Sequence, residues 1–266
     1  MNPLLHVERD GPFARVTLTR PEVRNAFNAA LIGELRSTFE SLAAEPPDEL
    51  RGVVLAGDGA TFCAGADIEW MRSAIGLSVH DNERDAAAMQ AMFDAIDTCP
   101  VPVIARVQGA ALGGGMGLCA VSDVVVATAD ATFGFTETKL GIIPAVISTF
   151  VLPKIGESHA RSLFATGQRF GAERAMRIGL VHEIVDDEAA LDGRIHNLMA
   201  ELHSAGPTAL RAAKALVGDL RGRPLADARL EMVHRIARLR TSAEGHEGLS
   251  AFTAKRAPRW AGPSRS

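Results

Sequence analysis

Three stretches of the chain hold residue types that can act together on a carbonyl compound. Cys63-Ala64-Gly65-Ala66-Asp67 and Gly113-Gly114-Gly115 are small-residue turns, each placed after an expected strand and before an expected helix. A helix start leaves its first amides without intrahelical acceptors, and small residues let a ligand come close to the backbone. Two such turns meeting in space aim two N–H groups at one oxygen, the arrangement of an oxyanion hole. Each donor of that kind contributes about 3 kcal/mol when charge builds on the oxygen. Taken singly, either turn is equally a device for tight packing of helix on strand. The third stretch, Phe133-Gly-Phe-Thr-Glu-Thr-Lys-Leu-Gly-Ile-Ile-Pro144, sets Glu137 among apolar residues. Burial there raises the carboxyl pKa, so that it can take and return a proton beside a carbonyl. Exposed and paired with Lys139, the same residue is an ordinary cap.

The elements that must position these residues follow from periodicity and punctuation. Alternation at Ala14, Val16 and Leu18 predicts a strand over 13–19, paired as a hairpin with 4–7 around Asp10-Gly11-Pro12. Asn28 caps a helix to about Ala44 with Leu31, Leu35, Phe39 and Leu42 on one side, and Pro46-Pro47 ends it. Strands are expected at 52–56, 103–107, 123–128 and 132–135, with helices over 81–98 and after the glycine run. Beyond about residue 145 helical patterns dominate, at 158–166, 172–178, 187–204, 207–219 and 225–242, with only 181–185 extended. The expectation is α/β, one core over residues 1–200 with a docked helical region over 201–266.

Composition narrows the chemistry further. The 266 residues include 28 basic and 32 acidic side chains, a formal net charge of −4, and 47% apolar residues. A pI near 6.1 with interspersed charge provides no basic field for nucleic acid or an anionic membrane, so small metabolites are the expected partners. Over 28–44, Arg36 is offset by Glu34 and Glu40, which argues against an RNA-binding surface. The N-terminal ten residues lack a basic start and an apolar run, and the most apolar stretch, 107–121, is broken by glycines and too short to span a bilayer. Cys63, Cys99 and Cys119 form no C-x-x-C pair, which fits a reducing, cytoplasmic setting. The eight histidines include no pair at metal-ligand spacing, and no metal is expected; His196 and His203 lie about two turns apart on one helix. Gly115-Met-Gly-Leu-Cys-Ala120 matches a dinucleotide fingerprint superficially, but Gln108–Gly113 separate it from its strand. Gly156-Glu-Ser-His-Ala160 has the outline of a nucleophile elbow without an apolar strand leading into it; Ser158 reads better as a helix cap.

Four motifs in order carry a family resemblance: Arg20-Pro-Glu-Val-Arg-Asn-Ala-Phe-Asn28, Phe62-Cys-Ala-Gly-Ala-Asp-Ile68, Ala105-Arg-Val-Gln-Gly-Ala-Ala-Leu-Gly-Gly-Gly-Met-Gly-Leu118 and the stretch 133–144. Together they resemble the enoyl-CoA hydratase/isomerase (crotonase) superfamily, from about residue 5 to the closing 247–256. The resemblance implies a crotonase-like ββα spiral with a C-terminal helical trimerisation region, a homotrimer or dimer of trimers, and an acyl-CoA thioester as substrate. Coenzyme A is then part of the substrate, and no separate cofactor is implied. The amides of Ala66 and Gly114 would hold the thioester oxygen and Glu137 would move protons. Ala64, Ala66, Asp67, Ile68 and Glu69 would line the adenine and pantetheine path, Arg24 and Ala26 would sit near the nucleotide, and Phe252 and Lys255 would reach it from a neighbouring subunit.

One departure bears on the reaction. Two-glutamate hydratases carry an acid two residues beyond the glycine run, where this chain has Gly117. Hydration needs a base for water and an acid for the α-carbon, so Glu137 would serve as both, whereas a Δ3,Δ2-enoyl-CoA isomerase needs one shuttling base. A finer likeness, in Asp67-Ile-Glu-Trp-Met-Arg72, Gly141–Phe150 and Gly167-Gln-Arg-Phe170, is to bacterial 3-methylglutaconyl-CoA hydratases. Arg72 would be their candidate partner for a distal carboxylate, against the alternative of a solvated helix residue. The expected activity is reversible hydration of a short or branched 2-enoyl-CoA, with isomerase action or non-catalytic CoA-ester binding as alternatives.

Overall fold

The computed structural model describes residues 3–262. Strands β1 (Leu5–Asp10) and β2 (Phe13–Leu18) form the expected hairpin, and α1 (Ala29–Ala43) follows with the Asn28 side chain accepting from the Leu31 amide at 2.8 Å. The chain then runs through β3 (Gly52–Gly57), α2 (Ile68–Ala74), α3 (Val79–Asp97), β4 (Val103–Val107), β5 (Ala110–Leu112), α4 (Gly114–Val121), β6 (Val124–Thr128) and β7 (Thr132–Gly134). After a 3-10 turn at Glu137–Leu140 come α5 (Ala145–Thr166), β8 (Arg169–Gly171), α6 (Ala172–Arg177), β9 (Glu183–Val185) and the helices α7 (Glu188–Ser204), α8 (Pro207–Leu220), α9 (Leu225–Arg240) and α10 (Ala243–Thr253).

Two sheets result. The larger has the order β1-β2-β3-β4-β6-β9, parallel from β2 onward; the smaller, β5-β7-β8, pairs β5 parallel and β8 antiparallel with β7. Strands β3 and β4 are buried throughout, as a parallel sheet covered on both faces requires. Val53, Leu55, Val103 and Ala105 join the main core with Leu31, Leu35 and Phe39 of α1. The alternate residues Val54, Ile104 and Val126 meet Leu191, Ile195 and Leu198 of α7. Buried Arg106 on β4 fastens that helix, reaching Asp192 at 2.7 Å and Glu188 at 3.2 Å. Helices α8, α9 and α10 bury little in the single chain: Pro207, Ala228 and Ala251 respectively. We propose the same division of the chain as before, at about residue 200.

The differences from expectation lie in short or interrupted elements. Sequence reading had no counterpart for α2, β5, β8 or α10. The helix expected from 158 begins at Ala145, passes Pro153, bends at Gly156 (φ 72°) and continues. Ser158 therefore stands, exposed, just past the bend of α5 rather than on a strand-to-helix elbow. The dinucleotide alternative fails for a related reason. Gly115 and Gly117 lie inside α4 and are buried, and an ideal Cβ on Gly117 would come within 2.6 Å of the Phe93 ring and 2.5 Å of Ile147, so there is no open cradle for a pyrophosphate.

Candidate active site

The segment 20–28 and the two glycine turns are sewn together by backbone hydrogen bonds. The Phe27 amide donates to Gly65 at 2.7 Å and Asp67 donates back to Phe27 at 2.8 Å; Cys63 and Leu112 bond the two turns at 3.0 Å, and Gly113 donates to Gly134 of β7 at 3.0 Å. This ladder uses the Asp67 and Gly113 amides, and the neighbouring amides of Ala66 and Gly114 find no acceptor among the described residues. The two turns touch. An ideal Cβ on Gly65 (φ 92°) would lie 2.8 Å from the Leu112 carbonyl oxygen and 3.4 Å from the Gly114 nitrogen, so only glycine permits the approach.

Glu137 opens the 3-10 turn that follows β7, and β7 sits beside β5, whose end leads into Gly113. An ideal Cβ on Gly113 would lie 3.4 Å from Glu137 Oε1 and 3.8 Å from Gly65 Cα, which places the carboxyl against both turns. Its other oxygen, Oε2, is buried with no hydrogen-bond partner among the described residues. Burial pushes this carboxyl above the usual range, and a hydrogen bond from its own amide only partly opposes that. Lys139 does not pair with it; the Lys139 stem lies against Gly167, with Cγ 3.2 Å from an ideal Cβ there.

Gly65, Ala66, Gly113, Gly114 and Glu137 border one cavity of about 870 Å³. Its wall includes Arg24, Ala26, Ala64, Ala66, Asp67, Ile68 and Glu69 together with Gly113, Gly114, Glu137 and the aliphatic Leu140, Ile142, Ile143, Val146 and Ile147. The carboxylate of Asp67 is engaged. It caps α2 through the Glu69 amide at 2.8 Å and meets the Arg20 guanidinium at 2.7 Å. Burial works against its charge, but these contacts outweigh burial and hold the carboxyl below its ordinary pKa. Phe252 and Lys255 lie outside the cavity of the single chain, exposed at the end of α10. Arg72 is also outside it, exposed and paired with Glu69 at 2.5 Å.

Sequence reading passed over three positioning residues. Buried Asn25 accepts from the Arg20 amide at 2.9 Å and donates to the carbonyls of Asp58 and Thr61 at 2.9 and 2.7 Å, holding Arg24 and itself in left-handed conformations. Arg20 bonds the Ala26 carbonyl at 2.5 Å as well as Asp67. Buried Gln108 donates to the carbonyls of Gly57 and Gly59 at 2.7 and 2.9 Å, fixing the loop before Cys63. Their only sequence signal is polarity inside segments that otherwise read as core or turn.

Known proteins with the same arrangement answer the question of kinship. AtuE of Pseudomonas aeruginosa superposes with a TM-score of 0.94 at 38% identity, covering 97% of this chain and 100% of that one. An enoyl-CoA hydratase of Shewanella pealeana gives 0.91 at 35% identity over 97% and 96%. An enoyl-CoA isomerase/hydratase of Zymoseptoria tritici is 32% identical over 266 aligned residues, 95% of this chain and 84% of that protein. The mixed α/β architecture is thus the crotonase-type spiral that the resemblance implied. With the enoyl-CoA hydratase/isomerase family also matching residues 8–263, the chain belongs to that family.

Proposed function

We propose that the protein reversibly adds water to a short or branched 2-enoyl-CoA. The observation that carries this reading is the meeting of two free amides, on Ala66 and Gly114, with the unpartnered oxygen of Glu137 in one cavity. The thioester oxygen accepts from both amides, so the charge that develops on it is met by dipoles already in place. Glu137, ionised, takes a proton from water as the water oxygen bonds to the β-carbon. The enolate then collapses, the α-carbon takes that proton, and the carboxylate is restored. A raised pKa suits a group that must both accept and release the proton near neutrality.

Ala64, Ile68 and Glu69 and the backbone at Asp67 line the proposed carrier path, with Arg24 and Ala26 at its nucleotide end; Phe252 and Lys255 approach from a neighbouring subunit. Coenzyme A is part of the substrate, and neither a separate cofactor nor a metal enters the scheme. Nucleic acid and membrane are not partners in it, and the setting is cytoplasmic. Among the described residues no helix is long and apolar enough to cross a membrane.

Isomerisation of a 3-enoyl-CoA is the second reading, and one observation favours it. The position of a further acid in two-glutamate hydratases is Gly117 here, and the space around it is filled by Phe93 and Ile147. One carboxylate is therefore left to move protons, which suffices for a double-bond shift. Within the hydratase reading, the 3-methylglutaconyl ester remains the finer proposal, but Arg72, outside the cavity and paired with Glu69, is unsuited to hold its carboxylate.

Assays of the purified protein with crotonyl-CoA, 3-methylglutaconyl-CoA and a 3-enoyl-CoA separate the two reactions. Hydration of either 2-enoyl ester is the expected result; shift of the 3-enoyl ester alone selects the isomerase. Glu137→Gln should keep CoA-ester affinity and lower kcat by about 10²–10⁴-fold, the usual worth of a proton-transferring group. Near-normal turnover in that variant overturns the role of Glu137, and CoA-ester binding by the wild type with no turnover of any of the three overturns the enzymatic reading.

A further inference from the structure

One residue reaches both turns that carry the free amides. Phe27 pairs with Ala66 in an isolated parallel bridge, its amide donating to the Gly65 carbonyl at 2.7 Å and its carbonyl accepting from the Asp67 amide at 2.8 Å. Along extended backbone successive peptide groups point to opposite sides, so a residue gripped on both flanks turns its own N–H away from the partner strand. The Ala66 amide is thereby aimed away from Phe27. The Phe27 ring, fully buried, runs to the other turn, where an ideal Cβ on Gly114 would lie 2.5 Å from its Cε2 and 2.7 Å from its Cδ2. Only glycine lets the ring sit there. Phe27 therefore meets both donor-bearing segments, one through its backbone and the other through its ring.

The backbone that delivers Phe27 is strained. Arg24 and Asn25, both at φ 56°, hold left-handed conformations that residues with side chains rarely adopt. Arg20 closes this stretch. Its carbonyl accepts from the Asn25 amide at 2.8 Å, and its guanidinium forks, Nη1 donating to the Ala26 carbonyl at 2.5 Å and Nη2 to Asp67 Oδ2 at 2.7 Å. One contact falls a residue before Phe27 and the other a residue after Ala66, so the fork ties together the two strands of the bridge. Both side chains of the ion pair are shielded, at 12% and 8% exposure, where such contacts are stronger than in water. Arg20 itself does not border the cavity, so any effect on a ligand passes through the residues it holds.

We infer that Phe27, clamped by Arg20, fixes the spacing and aim of the Ala66 and Gly114 amides, which makes both of them positioning residues for the developing negative charge. The inference rests on the two-amide reading above and adds what holds those amides in place. Donors stabilise an oxyanion best when they need not move to meet it, and a misplacement of about 1 Å can cost roughly 10²-fold in rate. Removing Arg20 alone would also leave the shielded Asp67 charge unpaired, so the test neutralises both partners.

The probe is dimethylaminocinnamoyl-CoA, whose absorption moves to longer wavelength as hydrogen bonds draw electrons toward its thioester carbonyl. Its spectrum at saturation reports the donors and its titration reports affinity, and neither depends on turnover. The wild type should shift the bound probe to the red. Arg20→Met with Asp67→Asn, and separately Phe27→Leu, should lose most of that shift at saturation and lower hydration kcat by about 10–100-fold with KM little changed. Arg20→Lys keeps the charge beside Asp67, and with it the fold, but lacks the planar fork; it should lose part of the shift. The full wild-type shift in any of the three variants overturns the inference, as does lost affinity with the shift intact. A wild type that binds the probe with no red shift overturns the two-amide reading itself, and the inference falls with it.

Discussion

A carboxylate oxygen with no partner inside a protein is held there against its own hydration, and the sign of the penalty can be worked out for Glu137. Its folded pKa is raised above the unfolded value, chiefly by burial. Between those two values the native state binds more protons than the unfolded chain, so stability falls as pH rises through that window and stays lower above it. Gln in its place carries no charge to bury. Glu137→Gln should therefore melt higher than wild type at pH 8, by roughly 2–4 °C, with the difference shrinking toward pH 4. Thermal melts of both proteins over that range check it; a constant difference, or a less stable variant at pH 8, would remove the electrostatic cost from the account. The small-residue turns and Glu137 were legible in sequence because a helix start and an acid among apolar neighbours have local signatures. Arg169 was noted only within the motif Gly167-Gln-Arg-Phe170; its place in the wall comes from the register of β8 on β7, which no local pattern encodes. Gly117 was legible as a departure, but what fills its space, a ring from α3 and a branched chain from α5, was not.

At the scale of elements, one sheet edge depends on a protonation state. His182, just before β9, donates its amide to the Val125 carbonyl at 2.9 Å, and its ring Nδ1 accepts from the Val125 amide at 2.9 Å. The ring thus stands where a strand carbonyl would, and only the form with Nδ1 unprotonated can do so. Burial lowers the His182 pKa, and Lys154 lowers it further against the opposing pull of Glu183 and Asp123. With the folded pKa below the unfolded one, the unfolded state binds more protons between them, and stability is lost as pH falls from about 6.5 through the folded value. Melting temperature should drop more steeply from pH 7 to pH 5 in wild type than in His182→Gln; parallel curves would show that the ring contact is incidental. Elements with strong periodicity or a side-chain cap, such as α1 behind Asn28 and α7 behind Asp187, were readable in advance. The three-residue strands β5 and β8 were not, because such short segments exist only through their pairing with β7, and α5 was truncated in reading because Pro153 and Gly156 look like a stop but act as a bend.

For the whole molecule, the C-terminal helices raise a question of solvent. Val217 on α8, Leu230, Val233 and Ile236 on α9, and Leu249 and Phe252 on α10 are all exposed in the single chain, Phe252 at 83%. Residues 230, 233 and 236 recur at helical spacing on one side of α9, so their exposure forms a stripe rather than scattered points. Soluble monomers seldom leave such a patch in water. The trimer, or dimer of trimers, that the resemblance implies would cover it and would also bring Phe252 and Lys255 to the cavity of a neighbour. Sequence periodicity alone does not distinguish a helix face that packs on its own core from one that waits for another subunit, so only the resemblance supplied an expectation for this region. Charge placed in the stripe should separate the two roles. Val233→Glu with Ile236→Glu is expected to move the light-scattering mass from three or six chains toward one, leave the far-ultraviolet helix signal in place, and raise KM for a CoA ester as the neighbour's contacts are lost. A wild type that is monomeric at micromolar concentration, or a variant of unchanged mass, would mean the stripe does not join subunits, and the contribution of Phe252 and Lys255 to the carrier path would fall with it.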